Sequence, residues 1–251
     1  MNLSHPGIRP VYFRSSLHSV VAGISTRLGG FSQPPFHSFN LGRSAGEDLG
    51  VVSKNRELYA GFFGVNTRQM VFGYQCHGTS IAESDCGQEI PDTDGFMTRQ
   101  PGVLLNVSVA DCFPVWFYDP STGSVAVNHC GWRGTVGGIQ VQQLNRFRQM
   151  GSDLSAVEVI IGPGIRSCHF QVREDIVNQF PVWSVTAGPE PGTWMVDLPS
   201  IIRRSLTEAG LQNHQIEDLN ECTACMTDRY YSFRAEKGVT GRMMAGIMIR
   251  S

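Results

Sequence analysis

The stretch Val125-Ala-Val-Asn-His-Cys-Gly-Trp-Arg-Gly134 decides how the rest of the chain is read. Residues 124–127 are β-prone and mostly apolar, the pattern of a buried strand. Polarity then arrives at once: Asn128, His129 and Cys130 lead into the glycine-flanked turn Gly131-Trp132-Arg133-Gly134. Val136, Ile139, Leu144 and Phe147 follow at offsets of 0, 3, 8 and 11, which share one face of a helix. The order is therefore strand, tight turn, helix, with His129, Trp132 and Arg133 where the strand ends. A helix N-terminus at that point offers unpaired backbone N–H groups and a positive dipole end, which suits an anion.

Composition bounds what can surround this turn. The chain has 251 residues, 41% of them hydrophobic, enough to bury a substantial core. No internal repeat or low-complexity linker divides it, so residues 1–251 read as one domain. A net charge of -2 with no basic block argues against binding nucleic acid or a membrane surface by bulk electrostatics. No apolar run approaches the ~20 residues that cross a bilayer. The opening Met1-Asn-Leu-Ser-His-Pro6 lacks the basic and apolar regions of a signal peptide, and the cytoplasm is the expected compartment. Seven cysteines, an odd number in a chain of this length, fit a reducing compartment better than a disulfide framework.

Along the chain, residues 11–26 read as strand material leading into Thr26-Arg27-Leu28-Gly29-Gly30, a glycine-rich turn that carries an arginine. Gln33-Pro-Pro-Phe-His-Ser-Phe-Asn-Leu-Gly42 is too rich in proline and aromatics for a regular element. It reads either as a packed surface loop or as a substrate-lining loop with Arg27 and Asn40 as polar contacts. Ser53 is placed as the N-cap of a helix over 54–63, stopped by Gly64. Residues 69–75 form a short strand ending in Cys76-His77-Gly78-Thr79, and Thr93-Asp94-Gly95-Phe96 reads as a turn. An apolar strand over 102–109 ends in Ala110-Asp111-Cys112-Phe113-Pro114, and 115–118 resume as a strand. Asp119-Pro-Ser-Thr-Gly123 closes a hairpin onto the opening stretch.

Three strand ends thus carry His77, Cys112 and His129. Two imidazoles and a thiolate make a zinc shell with a fourth position left for water or substrate, the pattern of a catalytic site. Asp111 is the natural acceptor for the far N–H of a ligand histidine. Spacing alone does not select this trio: the three lie 35 and 17 residues apart, and seven histidines with seven cysteines permit chance combinations. In the second half, Cys222-Thr-Ala-Cys225 has zinc-knuckle spacing without a second pair nearby in sequence, and reads as a core or turn pair able to form a disulfide. Residues 230–234 and 243–249 read as closing strands. No GxGxxG or Walker sequence occurs.

Five motifs in this order resemble the laccase-domain family: Gln75-Cys-His-Gly78, Ala110-Asp-Cys-Phe-Pro114, His129-Cys-Gly-Trp-Arg-Gly134, Gly162-Pro-Gly-Ile165, and Tyr231-Ser-Phe-Arg234 with Gly241-Arg242. The resemblance runs from Thr26-Arg27 to Arg242. Members were formerly described as polyphenol oxidases or multicopper-oxidase-like proteins and are treated as zinc-containing purine nucleoside phosphorylases. The resemblance implies a mixed α/β (α+β) fold, with packed mixed β-sheets and helices outside, and a zinc site at His77, Cys112 and His129. This chain departs from the family at Cys76, usually valine, at Cys130, usually alanine, and at Val109, often threonine.

The activity so implied is cleavage of adenosine, inosine or methylthioadenosine by phosphate, with zinc-dependent adenosine deaminase as a side activity. The expected catalytic set is His77, Cys112, His129 and Arg133, with Arg27, Asn40 and Arg133 as substrate contacts and backbone N–H groups near Gly134 aiding the phosphate. Three rivals stand beside it. Cys112 activated by His129 would make a thiol hydrolase, in line with relatives linked to cell-wall peptide editing. Copper at the same N/S donors would make a polyphenol oxidase, though seven scattered histidines form no HxH array. The third rival is a metal-bound scaffold without turnover.

Overall fold

The computed structural model describes residues 6–16 and 19–250. Residues 1–5, part of the stretch read against a signal peptide, lie outside the described residues, as do Leu17 and His18 within the expected strand region, and Ser251. Two six-stranded sheets carry the architecture. The first runs in the order β1 (Ile8–Val11), β2 (Val20–Ser25), β15 (Met243–Ile249), β7 (Leu104–Val109), β3 (Met70–Gly73) and β5 (Gln88–Ile90). The second runs β14 (Ile216–Asp218), β10 (Glu158–Ile161), β8 (Phe113–Asp119), β9 (Ser124–Cys130), β6 (Gly95–Thr98) and β4 (Ile81–Glu83). Both are mixed: β3 is parallel to β7 and β5, and β4 to β6, while the hairpin β8–β9 is antiparallel. A small third sheet, β11 (Gln171–Arg173), β13 (Thr193–Val196) and β12 (Val185–Ala187), lies beside them.

Alternation along the central hairpin explains the layering. Trp116, Val125 and Val127 enter the core between the two large sheets, with Ile24, Val107 and Ala245 from the facing sheet. Val115, Phe117 and Ala126 point the other way, onto α3 (Ile139–Gln149) and α5 (Leu198–Glu208), through Leu144, Phe147, Ile202 and Leu206. A strand buried on both faces reads as a continuous apolar run, which is why 115–118 and 124–127 stand out in the sequence. The outer face of the first sheet packs on α1 (Leu49–Phe62) through Met70, Leu104, Met244, Tyr59 and Phe63. The α+β class with helices outside the packed sheets is the observed one. No helix among the described residues is long and apolar enough to cross a membrane.

Several local expectations are corrected. β9 continues through His129 and Cys130, because β8 pairs with it to its end, Pro114 opposite His129 and Phe113 opposite Cys130, while β6 pairs with it only as far as Asn128. The helical run after the turn is broken: α2 (Trp132–Val136) stops at Gly137, and Gly138 at φ 83° redirects the chain into α3. Ile139, Leu144 and Phe147 are buried as expected, whereas Val136 falls on the exposed side of the break. Residues 230–234 form turns instead of a closing strand, although Tyr230 and Tyr231 are buried. α1 begins five residues before the expected start, with Asp48 as N-cap; its carboxylate accepts from the N–H groups of Gly50 and Val51. The remaining short helix, α4 (Glu174–Val177), follows β11.

The cap correction is testable. Asp48→Ala is expected to cost about 1 kcal/mol in urea denaturation. Ser53→Ala, an exposed change inside α1, should stay within about 0.5 kcal/mol. Equal losses at both positions would return the helix start to Ser53.

Candidate metal centre and active site

Strand pairing delivers the three candidate ligands to one place. Pro114 sits opposite His129 in the hairpin, so Cys112, two residues before Pro114, comes to the same side. His77 arrives from the segment after β3, on the first sheet. The two imidazole rings meet edge-to-face with centroids 4.9 Å apart. One donor atom from each of His77, Cys112 and His129 lies within 4.8 Å of the others, a spacing that suits a shared metal ion.

Asp94 organises the trio. Its carboxylate, fully buried, lies 2.8 Å from His129 Nδ1 and accepts from the backbone N–H groups of Cys76, His77 and Gly78 at 3.1, 3.0 and 2.8 Å. Its own carbonyl accepts from the N–H of His129 at 2.7 Å. This leaves His129 Nε2 to face the other donors, the arrangement in which a carboxylate fixes a ligand histidine's tautomer. The expectation that Asp111 plays this part is corrected. Asp111 accepts from Thr223 Oγ1 and from the Arg234 N–H, both at 2.7 Å. It holds an otherwise disfavoured φ of 89°, and His77 stands at φ 60°. Two non-glycine residues in left-handed conformations at one site mark backbone held in place by its surroundings.

The charges are coupled. Burial opposes ionisation of Cys112, yet His129 and His77 overcome it and bring the thiol down to about 6. Burial likewise disfavours charge on His129, but the Cys112 thiolate and Asp94 raise it to about 9. Asp94, itself opposed by burial, is held near 2 by His129 and by the N–H groups around it. The two unusual cysteines are not part of the donor set. Cys76 donates to Asp94 at 3.2 Å, and that hydrogen bond, ahead of burial, raises its thiol. Cys130 points into the core beneath α3, where burial pushes its thiol up.

The trio opens onto a cavity of about 600 Å³. Arg43, Arg56, Arg234 and Arg242 line it, with aromatic walls that include Phe72, Tyr74 and Phe233. Arg242 feels the charge of the trio: burial lowers its pKa, while Cys112 and Asp111 work to raise it. Arg56 is pushed down to about 10 by burial and by the neighbouring charge of Arg43, which pairs with Glu89 at 2.9 Å. Gly42 and Gly131 keep the space open. A Cβ on Gly42 would meet the Arg242 stem at 2.4 Å, and one on Gly131 would meet His77 Cδ2 at 2.8 Å and Cys112 Sγ at 3.2 Å.

The other sequence-derived site residues lie elsewhere. Arg133 is exposed, stacks over the Trp132 ring at 4.2 Å, and does not line the cavity. α2 spans only five residues, so the anion site expected at its start has little dipole behind it. Arg27 is a strut, bound to Glu236 at 3.0 Å and to the Thr227 carbonyl at 2.7 Å. Asn40 is fully buried, but its Oδ1 accepts the Arg242 N–H at 2.8 Å and so places the backbone of a cavity arginine. Sequence reasoning missed Asp94, whose Thr-Asp-Gly context looks like ordinary turn chemistry, and missed Arg43 and Arg56. Arg234 and Arg242 were visible only inside the family motif.

The family model described as multi-copper polyphenol oxidoreductase laccase matches residues 21–250. A Geobacillus stearothermophilus protein named purine nucleoside phosphorylase YlmD is 35% identical, over 90% of this chain and 89% of its own. Its Bacillus subtilis namesake is 34% identical, over 91% and 88%. Among solved structures, the Bacillus licheniformis hypothetical protein YfiH aligns with a TM-score of 0.93 at 31% identity, covering 99% of this chain and 98% of that one. The crystal structure of YlmD from Geobacillus stearothermophilus aligns at 0.89 with 33% identity, over 94% of both chains.

In metal-free protein, iodoacetamide labelling of Cys112 should rise with pH through a midpoint near 6, since the thiolate is the reactive form. A midpoint near the ordinary thiol value of about 8.5 would show that His129 and His77 do not stabilise the anion.

Proposed function

The chain belongs to the multi-copper polyphenol oxidoreductase laccase family, and from that premise we propose that it is a purine nucleoside phosphorylase with zinc at His77, Cys112 and His129. One observation carries the reading: the trio and four arginines face the same aromatic-walled cavity. A purine nucleoside offers a flat ring for aromatic stacking, and its co-substrate phosphate is an anion that arginine binds well. The names of the Geobacillus and Bacillus relatives support the same class. The seven cysteines are free, which fits a reducing compartment and our placement of the protein in the cytoplasm.

Zinc suits the residues present. Two imidazoles and one thiolate are a borderline donor set, and Gly131 leaves the centre of the trio uncovered where a Cβ would intrude. Copper is accepted by the same donors. A multicopper centre needs a far larger histidine cluster, and among the described residues the only other convergent group is Cys168, His169, Cys222 and Cys225. Bound zinc would supply Lewis acidity at the cavity wall, and with it the adenosine deaminase side activity.

The chain's own groups do the rest. Arg242, beside the trio and anchored by Asn40, holds phosphate together with Arg43 or Arg234, so that an oxygen faces the ribose anomeric carbon. Phe233 and Tyr74 receive the base. Positioning and electrostatic support of the departing purine carry most of the rate. A second reading is favoured by one observation: Cys112, His129 and Asp94 also have the order of a nucleophile, base and orienting carboxylate.

Chromatography of adenosine incubated with and without phosphate tests the main reading, with adenine and ribose 1-phosphate expected only when phosphate is present. Inosine formed without phosphate would leave a deaminase in its place. Arg242→Met is expected to raise the KM for phosphate about tenfold or more, the loss of a charge-assisted pair. Gly131→Ala should lower zinc and turnover together. Cys112→Ala protein that is free of zinc yet fully active would refute the assignment. Peptide hydrolysis inhibited by alkylation after chelation would favour the thiol enzyme.

A further inference from the structure

Cys222 and Cys225, read from sequence as an unaccompanied pair, are not alone. Cys168 and His169, more than fifty residues earlier, close on them in space. Cys168 Sγ lies 3.5 Å from Cys222 Sγ and 3.6 Å from Cys225 Sγ. His169 Nδ1 lies 3.3, 3.9 and 3.4 Å from the sulfurs of Cys168, Cys222 and Cys225. The four donor atoms all lie within 4.8 Å of one another. Tetrahedral zinc, with Zn–S about 2.3 Å and Zn–N about 2.0 Å, sets its ligand atoms roughly 3.5–3.8 Å apart. The spacing matches that polyhedron, and the three cysteines are free.

The backbone prepares these donors. Cys222 sits in a β-bridge with Gly164, and the Thr223 N–H donates to the Gly164 carbonyl at 3.2 Å. The N–H groups of Cys225 and Met226 both fold back onto the Cys222 carbonyl, at 3.2 and 3.1 Å, which makes the Cys-x-x-Cys turn tight. His169 and Phe170 likewise turn back onto the Arg166 carbonyl, each at 2.8 Å. Backbone N–H groups of Arg166 and Cys225 face the Cys222 sulfur, as expected around a thiolate. Three thiols and an imidazole gathered on two rigid turns have little to gain from one another, because thiols are weak hydrogen-bonding partners. A cation resolves the cluster.

We propose that Cys168, His169, Cys222 and Cys225 form a second, structural zinc site. Four protein ligands close the coordination shell, in contrast to the three that face the cavity. Its place in the fold gives it work. Arg234 donates to the carbonyls of His169 and Gln171, both at 3.0 Å, and Thr223 inside the Cys-x-x-Cys turn holds Asp111, the neighbour of Cys112. The site clamps the loop after β10 to the turns after β14, behind one wall of the cavity.

Zinc per chain, measured by elemental analysis on dialysed protein prepared with zinc and reductant, tests the site. Wild type is expected to hold two ions, Cys112→Ala one and Cys225→Ser one. Equal zinc in wild type and Cys225→Ser would overturn the proposal. A footprint on wild type avoids any folding defect. Cys168 and Cys225 are both exposed to a small reagent, but burial and neighbouring sulfurs raise both thiols, so each is compared with itself before and after chelation. With zinc bound, Cys168 and Cys225 should react about tenfold more slowly than after a strong chelator is added, while Cys86 keeps one rate throughout. Rates at Cys168 and Cys225 that chelation leaves unchanged, or a mass two hydrogens low from a bond between Cys168 and Cys222, would likewise overturn it.

Discussion

The buried carboxylate of Asp94 is the contact on which the site depends. It is fully enclosed, and an enclosed carboxylate is tolerated only when its oxygens are satisfied. Three consecutive N–H groups from residues 76–78 and the His129 ring satisfy it. Those donors come from two different sheets: His77 from the segment after β3, His129 from the end of β9. One residue therefore sets the distance between two imidazoles that the chain separates by more than fifty positions. It also accounts for the positive φ of His77, because pointing three successive N–H groups at one anion requires a curled backbone, the nest geometry.

The charge pattern around this point has a direction. Asp94 is ionised, His129 is drawn towards its charged form, and Cys112 is drawn towards thiolate, so charges alternate along a short line. Without a metal, the line ends in an imidazolium–thiolate pair at the cavity wall. A divalent cation replaces the proton that His129 and Cys112 share between them, and the same polarisation serves it. That is why the arrangement reads equally as a metal centre and as a thiol-nucleophile constellation. The arginines beyond it repel any cation other than one held by direct ligation, and attract anions.

How much of this was legible in the sequence depends on the range of the interaction. The hairpin β8–β9 was legible because both its faces are buried and its turn is chemically explicit at Asp119 and Gly123. The positions of His77, Cys112 and His129 at strand ends were legible from local polarity. Their convergence was not, since it depends on which strands pair, and only the resemblance singled them out. Arg133 misled because a basic residue beside glycine at a helix start looks like an anion site; its side chain turns instead onto the adjacent indole. Asn40 was placed near the substrate for its position in an irregular loop, and it acts one step back, through the backbone of Arg242. Ser53 misled as a cap because Asp48, earlier and better placed, competes for the same helix.

The two sulfur-bearing clusters are mechanically linked, and the link is Asp111. Its φ of 89° costs conformational energy that something must offset, and two hydrogen bonds of 2.7 Å to its carboxylate do so. One donor, Thr223, belongs to the turn between Cys222 and Cys225; the other, the Arg234 N–H, leads to a cavity arginine. The carbonyl of Asp111 accepts from Ile165 at 2.7 Å, on the loop that carries Cys168 and His169. The restraints on Asp111 thus come from the loop and the turn that the four-donor cluster ties together, and from Arg234, whose side chain is itself bonded to the His169 carbonyl. Cys112 is the next residue, so the direction of its sulfur is set by whatever fixes those segments. A tight clip there keeps Cys112 aimed at His129 while the walls of a solvent-exposed cavity admit and release substrate.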